Sequence, residues 1–340
     1  LSLNSVSIIE VDNKMSLKVI WQHLCCLFIF GTVFKGAHWA YCALKTAKKL
    51  CKENQYDAII TKNSPSELLG SYFKKKKGYK WIATWNDPYP TKKYPKPYGN
   101  GVTAKLFILE SPLLNLMEKA DYHIFPNQRI RDYMRSYLNI PSEKTRIIPH
   151  VVIPREHHDT PHENLRIVHL GNLLPPRDAT PFLRALTEFN KNEKDAKLEI
   201  AFIGQTPQSV KDFVNTTHLE KYVKVFPPVK YKESQQILES YDIQLIVEAP
   251  CEEGIFLPTK VSDSMQLGKP IFTISPSVGV LNDLYKQGHI SYFSSVQNEK
   301  NILSTLRQIY KDFTNGKIKS FSLEKSYSPR TIVQQYNEII

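Results

Sequence analysis

The chain has 340 residues, more than one ordinary hydrophobic core holds, so two domains are expected. With 41% hydrophobic and 23% charged residues it is globular in composition, which excludes a disordered chain and a polytopic membrane protein. Lysine plus arginine number 45 against 33 acidic residues, and the resulting +12 favours an anionic contact: nucleic acid, an acidic membrane surface or a phosphorylated ligand.

In chain order, residues 6–11 form a short β-branched run that reads as a strand. Residues 20–34 are the longest apolar stretch, but they include Gln22 and His23 and fall short of the roughly 20 residues that span a bilayer. They suit a core helix or a helix lying in a membrane interface. No basic segment precedes them and the first residue is not Met, so no signal peptide is expected. Ala43, Leu44, Ala47, Leu50 and Cys51 follow with helical spacing. A strand is predicted at 57–61, an amphipathic helix through Leu68, Leu69 and Phe73, and a strand at 81–84. A helix near 113–120 leads to a strand at 122–125, and 146–150 closes the series. Residues 154–164 carry two prolines, three histidines and no periodic apolar face, and read as a linker.

The alternation then restarts with a strand at 165–170, a helix through Phe182, Leu183 and Leu186, and strands at 198–203, 223–226 and 243–247. A helix ending near Leu267 and a strand at 270–274 follow. Continuously apolar strands between helices imply parallel sheets covered on both faces. The expected fold is therefore α/β, with two doubly wound Rossmann-like domains facing across a cleft. Ligands of such sheets bind beyond the carboxyl ends of the strands. Five cysteines without a CxxC pair support neither a disulfide framework nor a zinc ribbon, and suit a reduced cytosolic protein.

Four stretches can carry chemistry, each with a plainer reading beside it. Gly171, Asn172 and Arg177 follow a strand, where a glycine admits a ligand close to the backbone and an arginine forks onto phosphate; the plain reading is a strand-to-helix turn with a solvated arginine. Pro258 suits a helix start. Lys260 and Asp263 lie three apart on one helical face, beside a helix N-terminus that attracts phosphate, or simply as a surface salt bridge. Glu252 and Glu253 precede them. The Trp85-Asn86-Asp87-Pro88 turn ends a strand, where it either serves a ligand or only initiates a turn. Lys74 to Lys77, with Lys80, Lys92, Lys93 and Lys96 among Tyr89, Tyr94 and Tyr98, suit anionic headgroups, a polyanion groove, or merely a solvated face. His157, His158, Asp159 and His162 have metal-ligand composition but sit in the linker without a ligand framework, and no metal is expected there. P-loop, GxGxxG and GxSxG elements are missing from the sequence.

Taken together, these stretches resemble the retaining glycosyltransferases of family 4, of the GT-B fold, over nearly the whole chain. The resemblance rests on 57–61 with Asn63-Ser64-Pro65, on the Trp85–Pro88 turn, and on 146–150. Its most specific segment is Leu257-Pro258-Thr259-Lys260-Val261-Ser262-Asp263 with Gly268-Lys269-Pro270, which is similar to a subgroup of bacterial surface-polysaccharide transferases. Tyr327-Ser328-Pro329-Arg330 and the following helix resemble the family's last helix, which crosses back onto the first domain. The resemblance implies an acceptor-side domain at 1–153 joined by 327–340, a linker at 154–164 and a nucleotide-sugar-binding domain at 165–326. It also implies that the chain starts past the family's usual first strand.

Carried over by position, the resemblance gives Gly171, Asn172, Arg177, Lys260 and Asp263 as donor-binding residues, with Arg177 on the diphosphate and Asp263 on the ribose. Asp87 and Glu253 are its catalytic candidates, Asp87 towards the acceptor. Asn172 stands where many members have a second arginine, and Ile255 stands where the first glutamate of the paired-acid motif is expected. The implied activity is transfer of a hexosyl or N-acetylhexosaminyl group from a nucleotide-sugar to a saccharide or polyprenyl-linked saccharide, with retention and without metal or other cofactor, in surface-polysaccharide synthesis. The implied location is cytoplasmic, peripheral on the inner face of the plasma membrane. Two rivals are a nucleotide-sugar epimerase of the same fold and a basic nucleic-acid-binding protein, the latter disfavoured by the doubly wound repeat.

Overall fold

The computed structural model describes residues 9, 18–156, 162–319, 323 and 325–340. The strand expected at 6–11 lies outside them except for Ile9, as do His157, His158 and Asp159. The chain divides into two compact units. One comprises Leu1–Tyr94, Val102–Ile147 and Tyr336–Ile340, and the other Pro95–Gly101 and Ile148–Gln335.

In the first unit, helices α1 (Lys18–Phe30) and α2 (Ala37–Glu53) pack together, with Cys26 of α1 and Ala37, Ala40 and Leu44 of α2 turned inward. The strands β1 (Ala58–Lys62), β2 (Lys80–Thr84), β3 (Tyr122–Phe125) and β4 (Thr145–Ile147) follow one another in that order across a parallel sheet. Helix α3 (Glu67–Lys77) crosses from β1 to β2. Its last turn carries four lysines, which suit the negative end of the helix dipole, and Gly78 stops it in the left-handed region. Helices α4 (Ser111–Met117) and α5 (Gln128–Arg135) make the later crossings, and the Asn127 side chain caps α5 by accepting from the Ile130 N–H. The core gathers round Trp81, Trp85, Leu113, Met117 and Phe125.

The second unit is a six-stranded parallel sheet. Its strands are β5 (Leu165–Leu170), β6 (Leu198–Ile203), β7 (Val223–Phe226), β8 (Ile243–Val247), β9 (Ile271–Ser275) and β10 (Tyr292–Ser295). Across the sheet they run β10-β9-β8-β5-β6-β7. The order therefore reverses at β5, whose neighbours are β6 on one side and β8 on the other. Successive β5 residues serve opposite faces: Leu165 and Ile167 join a core under α6 (Thr180–Asn192) and α11 (Glu299–Thr314), while Val168 and Leu170 meet Leu238 of α8 (Tyr231–Glu239). Helices α7 (Gln208–Thr216), α9 (Thr259–Gln266) and α10 (Val280–Lys286) complete the crossings, and α12 (Pro329–Asn337) ends the chain. This is the α/β architecture of parallel sheets in two domains that the apolar runs predict.

Candidate functional site

A reversal of strand order leaves a crevice beyond the carboxyl ends of the two strands that flank it. Here those strands are β5 and β8, so the residues that follow them, Gly171 and Glu248, stand at its mouth. Gly171 has φ +97°, and a Cβ there would lie 3.0 Å from Lys260 Cε. The next turn holds Gly204, whose own Cβ would meet the Gly171 carbonyl oxygen at 2.4 Å. Two glycines thus let the turns after β5 and β6 stack with bare backbone facing the crevice.

Lys260 enters from the first turn of α9, with Pro258 one residue ahead of the helix at its cap. Its Nζ lies 3.4 Å from His169 Nε2. Burial, and after it the neighbouring Arg177 charge, pushes the Lys260 pKa down to about 8. Arg177 places Nε 3.3 Å from Glu248 Oε1, and its guanidinium carbon stands 5.6 Å from the centre of the Tyr98 ring. Burial opposes that charge, but Glu248 and Tyr98 outweigh it and the pKa rises. Glu248 is itself buried; its Oε2 accepts from the Tyr98 hydroxyl at 2.6 Å, and that hydroxyl accepts from the Ala249 N–H at 3.2 Å. A small pocket opens beside this network, lined by Tyr98, Glu248, Cys251, Gly254, Phe256 and Gly279 among others.

The structure therefore brings Gly171, Arg177 and Lys260 together. Asp263 lies one helical turn beyond Lys260, where the Tyr231 hydroxyl donates to its Oδ1 at 2.9 Å and burial raises its pKa. Asn172 is exposed, and its side-chain oxygen accepts from the Gln205 N–H at 3.1 Å, tying the two turns together. Glu253 is half-buried next to the pocket, and its carbonyl faces the Cys251 thiol at 3.3 Å. Asp87 belongs to the first unit, at the end of β2, and with burial helps to raise the Tyr94 hydroxyl pKa.

Three residues of the network, Glu248, His169 and Tyr98, were not singled out as donor-site residues by the sequence. An acidic residue directly after a buried strand was the available signal for Glu248. The basic tyrosine-rich stretch also differs from a binding groove. Lys93 is buried and donates to the carbonyls of Val102 and Ala104, and Tyr98 belongs to the second unit. Between Tyr89 and Tyr98 the exposed cations are Lys92 and Lys96, and Lys75, Lys76 and Lys77 are exposed earlier in the chain. His162 pairs with Asp242 at 2.9 Å. Among the described residues no cluster of three His, Cys, Asp or Glu is placed to hold a metal ion, and none of the five cysteines forms a disulfide.

Comparison with known proteins follows this geometry. Residues 27–156 match the family model described as Glycosyltransferase Family 4. The apo form of the lipopolysaccharide outer core galactosyltransferase WaaB superimposes with a TM-score of 0.57 at 13% identity, over 88% of this chain and 79% of that one. A glycosyltransferase from Rickettsia africae gives 0.62 at 12% identity, over 87% and 79%. A mutant of S. aureus TarM in complex with Fondaparinux, alpha-GlcNAc-glycerol and UDP gives 0.62 at 12% identity, over 88% and 58%. No curated protein matches the chain. The resemblance read from the motifs is thus met by the family match, and the expected fold by the solved structures. The chain has the GT-B fold of these solved structures and its residues 27–156 match the glycosyltransferase family 4 model, and the match favours neither the epimerase nor the nucleic-acid-binding reading.

Proposed function

We propose that this protein is a glycosyltransferase that moves a hexosyl or N-acetylhexosaminyl group from a nucleotide-sugar to a saccharide or polyprenyl-linked saccharide, with retention at the anomeric carbon, in surface-polysaccharide synthesis. The observation that carries the reading is the pairing of two neighbouring cations, Arg177 and Lys260, with Lys260 lying against bare backbone at Gly171, where the strand order reverses. As the glycosidic bond breaks, negative charge grows on the leaving nucleoside diphosphate, and fixed cations in a partly dry site stabilise it. The first turn of α9 adds its free N–H groups to the same end. In this reading the cations act in place of a divalent metal. Asp263 accepts from the ribose, the pocket beside Glu248 receives the sugar, and Glu253 stands next to it. Asp87 serves the acceptor. The complex of TarM with UDP and a GlcNAc-bearing ligand supports this kind of donor and acceptor.

The test is a thermal-shift screen with a panel of nucleotide-sugars, followed by product analysis. A true donor at a hundred times its Kd stabilises the folded protein by about 2.7 kcal/mol. New glycoside should form only when acceptor is present, with the donor's anomeric configuration in its NMR couplings. Conversion of the donor alone into another nucleotide-sugar would make the protein an epimerase, and an inverted product would remove retention.

A further inference from the structure

His169, fully buried on β5, has no part in the chemistry just described. Its Nδ1 lies 3.1 Å from the Leu245 carbonyl oxygen of β8. A carbonyl oxygen only accepts, so Nδ1 carries the hydrogen and Nε2 presents its lone pair. That lone pair faces Lys260 Nζ at 3.4 Å, with the lysine as donor. The ring is packed against Phe202, centroids 5.8 Å apart, and β8 fixes its rotation through Leu245. On the lysine's other flank Gly171 lacks the Cβ that would crowd Cε. A flexible four-carbon stem is thus confined between a bare glycine and an imidazole whose orientation the switch strands set. Burial, and after it the Lys260 charge, holds the imidazole's pKa well below its ordinary value, so it remains an acceptor for the ammonium.

We propose that His169 is a positioning residue of the donor subsite, aiming the Lys260 ammonium at the phosphate that lies beside the Gly171 turn. The phosphate's place rests on the donor reading above, whereas the relation of His169 to Lys260 does not. Ordering the lysine in advance removes that cost from ligand binding. The other charged groups that act on the ammonium are Arg177, Glu248 and Asp263, and a neutral imidazole adds an acceptor among them without adding charge.

Two variants separate aim from packing. His169→Gln keeps an acceptor within reach of the lysine, and His169→Leu fills the space without one. The first measurement needs no donor: acetylation of Lys260 by acetic anhydride, followed against pH by peptide mass spectrometry. His169→Leu should lower the midpoint by about one pH unit, because the ammonium loses its acceptor, and His169→Gln should return it to the wild-type value. If His169→Leu does not fold, His169→Asn, whose shorter chain cannot reach, carries the same expectation. The second measurement is calorimetric titration with inorganic diphosphate. His169→Leu should weaken binding roughly five- to tenfold and His169→Gln by no more than about twofold. In a Lys260→Met background the His169→Leu change should have no further effect. An identical Lys260 midpoint in all the proteins overturns the proposal, and so does an undiminished effect of His169→Leu in the Lys260→Met background. A shifted midpoint in a protein that binds no diphosphate supports the His169–Lys260 relation and overturns the donor reading alone.

Discussion

Arg177 and Glu248 show how the site is poised before any ligand arrives. Glu248 divides its two oxygens between Arg177 and Tyr98, so the guanidinium is held by a carboxylate that is itself held. Replacing Arg177 with alanine should remove a charge-assisted contact from the diphosphate and cost about 1.5–3 kcal/mol of binding. Titration calorimetry with a nucleoside diphosphate reads this, and unchanged affinity takes Arg177 out of the site. A second buried acid makes a prediction about pH. Glu67, at the start of α3, has both carboxylate oxygens buried, and burial pushes its pKa from 4.5 up to about 8 against the lowering effect of a backbone N–H and the Ser64 hydroxyl. The folded protein therefore keeps this proton over a range in which the unfolded chain has released it. Stability contributed by the neutral acid is complete below pH 4.5 and is lost as pH rises through about 8. Glu67→Gln should remove that slope, so its advantage in Tm over wild type should grow from pH 5 to pH 8. An advantage that is constant with pH would count against the assignment. In the sequence, Arg177, Lys260 and Asp263 were legible as donor-site candidates because each follows a strand or opens a helix. Glu248 and His169 were not, because what makes them notable is a partner far along the chain: Tyr98 for one, and Leu245 and Lys260 for the other.

At the scale of elements, α3 lies on β2 through a glycine. A Cβ on Gly70 would fall 2.1 Å from Nε1 of Trp81, whose N–H donates to the Thr61 hydroxyl at 2.8 Å. Helix propensity favours alanine over glycine by about 1 kcal/mol at an interior position. Packing reverses the sign here, because the indole is fully buried and cannot move aside without breaking its hydrogen bond. Gly70→Ala should destabilise the first unit by roughly 1–3 kcal/mol in urea unfolding, and a stabilised variant would show that the contact relaxes freely. The same buried contacts explain which elements the sequence disclosed. Strands β2, β5, β6, β8 and β9 are buried for most or all of their length, and their apolar runs stand out. β10 is Tyr-Phe-Ser-Ser with alternate residues buried, and such a short, half-polar run gives no clear strand signal. β4 extends only over Thr145–Ile147, because Ile148 alone separates it from Pro149, which has no N–H for a ladder.

For the whole molecule, the unspent feature is the combination of +12 net charge with apolar surface in the first unit. No helix among the described residues is long and apolar enough to cross a membrane. Yet α1 leaves Trp21 64% and Phe28 87% exposed, with Ile20 and Leu24 also outward, and Lys75, Lys76 and Lys77 are exposed at the end of α3. Lys74 pairs with Asp121 and Lys92 with Glu110, which leaves them less charge to offer, and Lys93 points inward. A polyprenyl-linked acceptor would require the protein to rest on the anionic cytoplasmic leaflet, with apolar side chains entering the headgroup boundary and lysines meeting the lipid charge. Sedimentation with liposomes tests this. Wild-type protein should pellet with anionic vesicles at low salt and much less with neutral ones. Raising the ionic strength to 0.1 M, where screening acts over about 10 Å, should release part of it. Replacing Lys75, Lys76 and Lys77 with glutamine should weaken binding to anionic vesicles and reduce its salt dependence. Trp21→Ser with Phe28→Ser should weaken binding while leaving the salt dependence in place, since those residues contribute area rather than charge. Equal recovery in the supernatant with both kinds of vesicle at low salt would remove the membrane from the proposed function and leave transfer to a soluble saccharide.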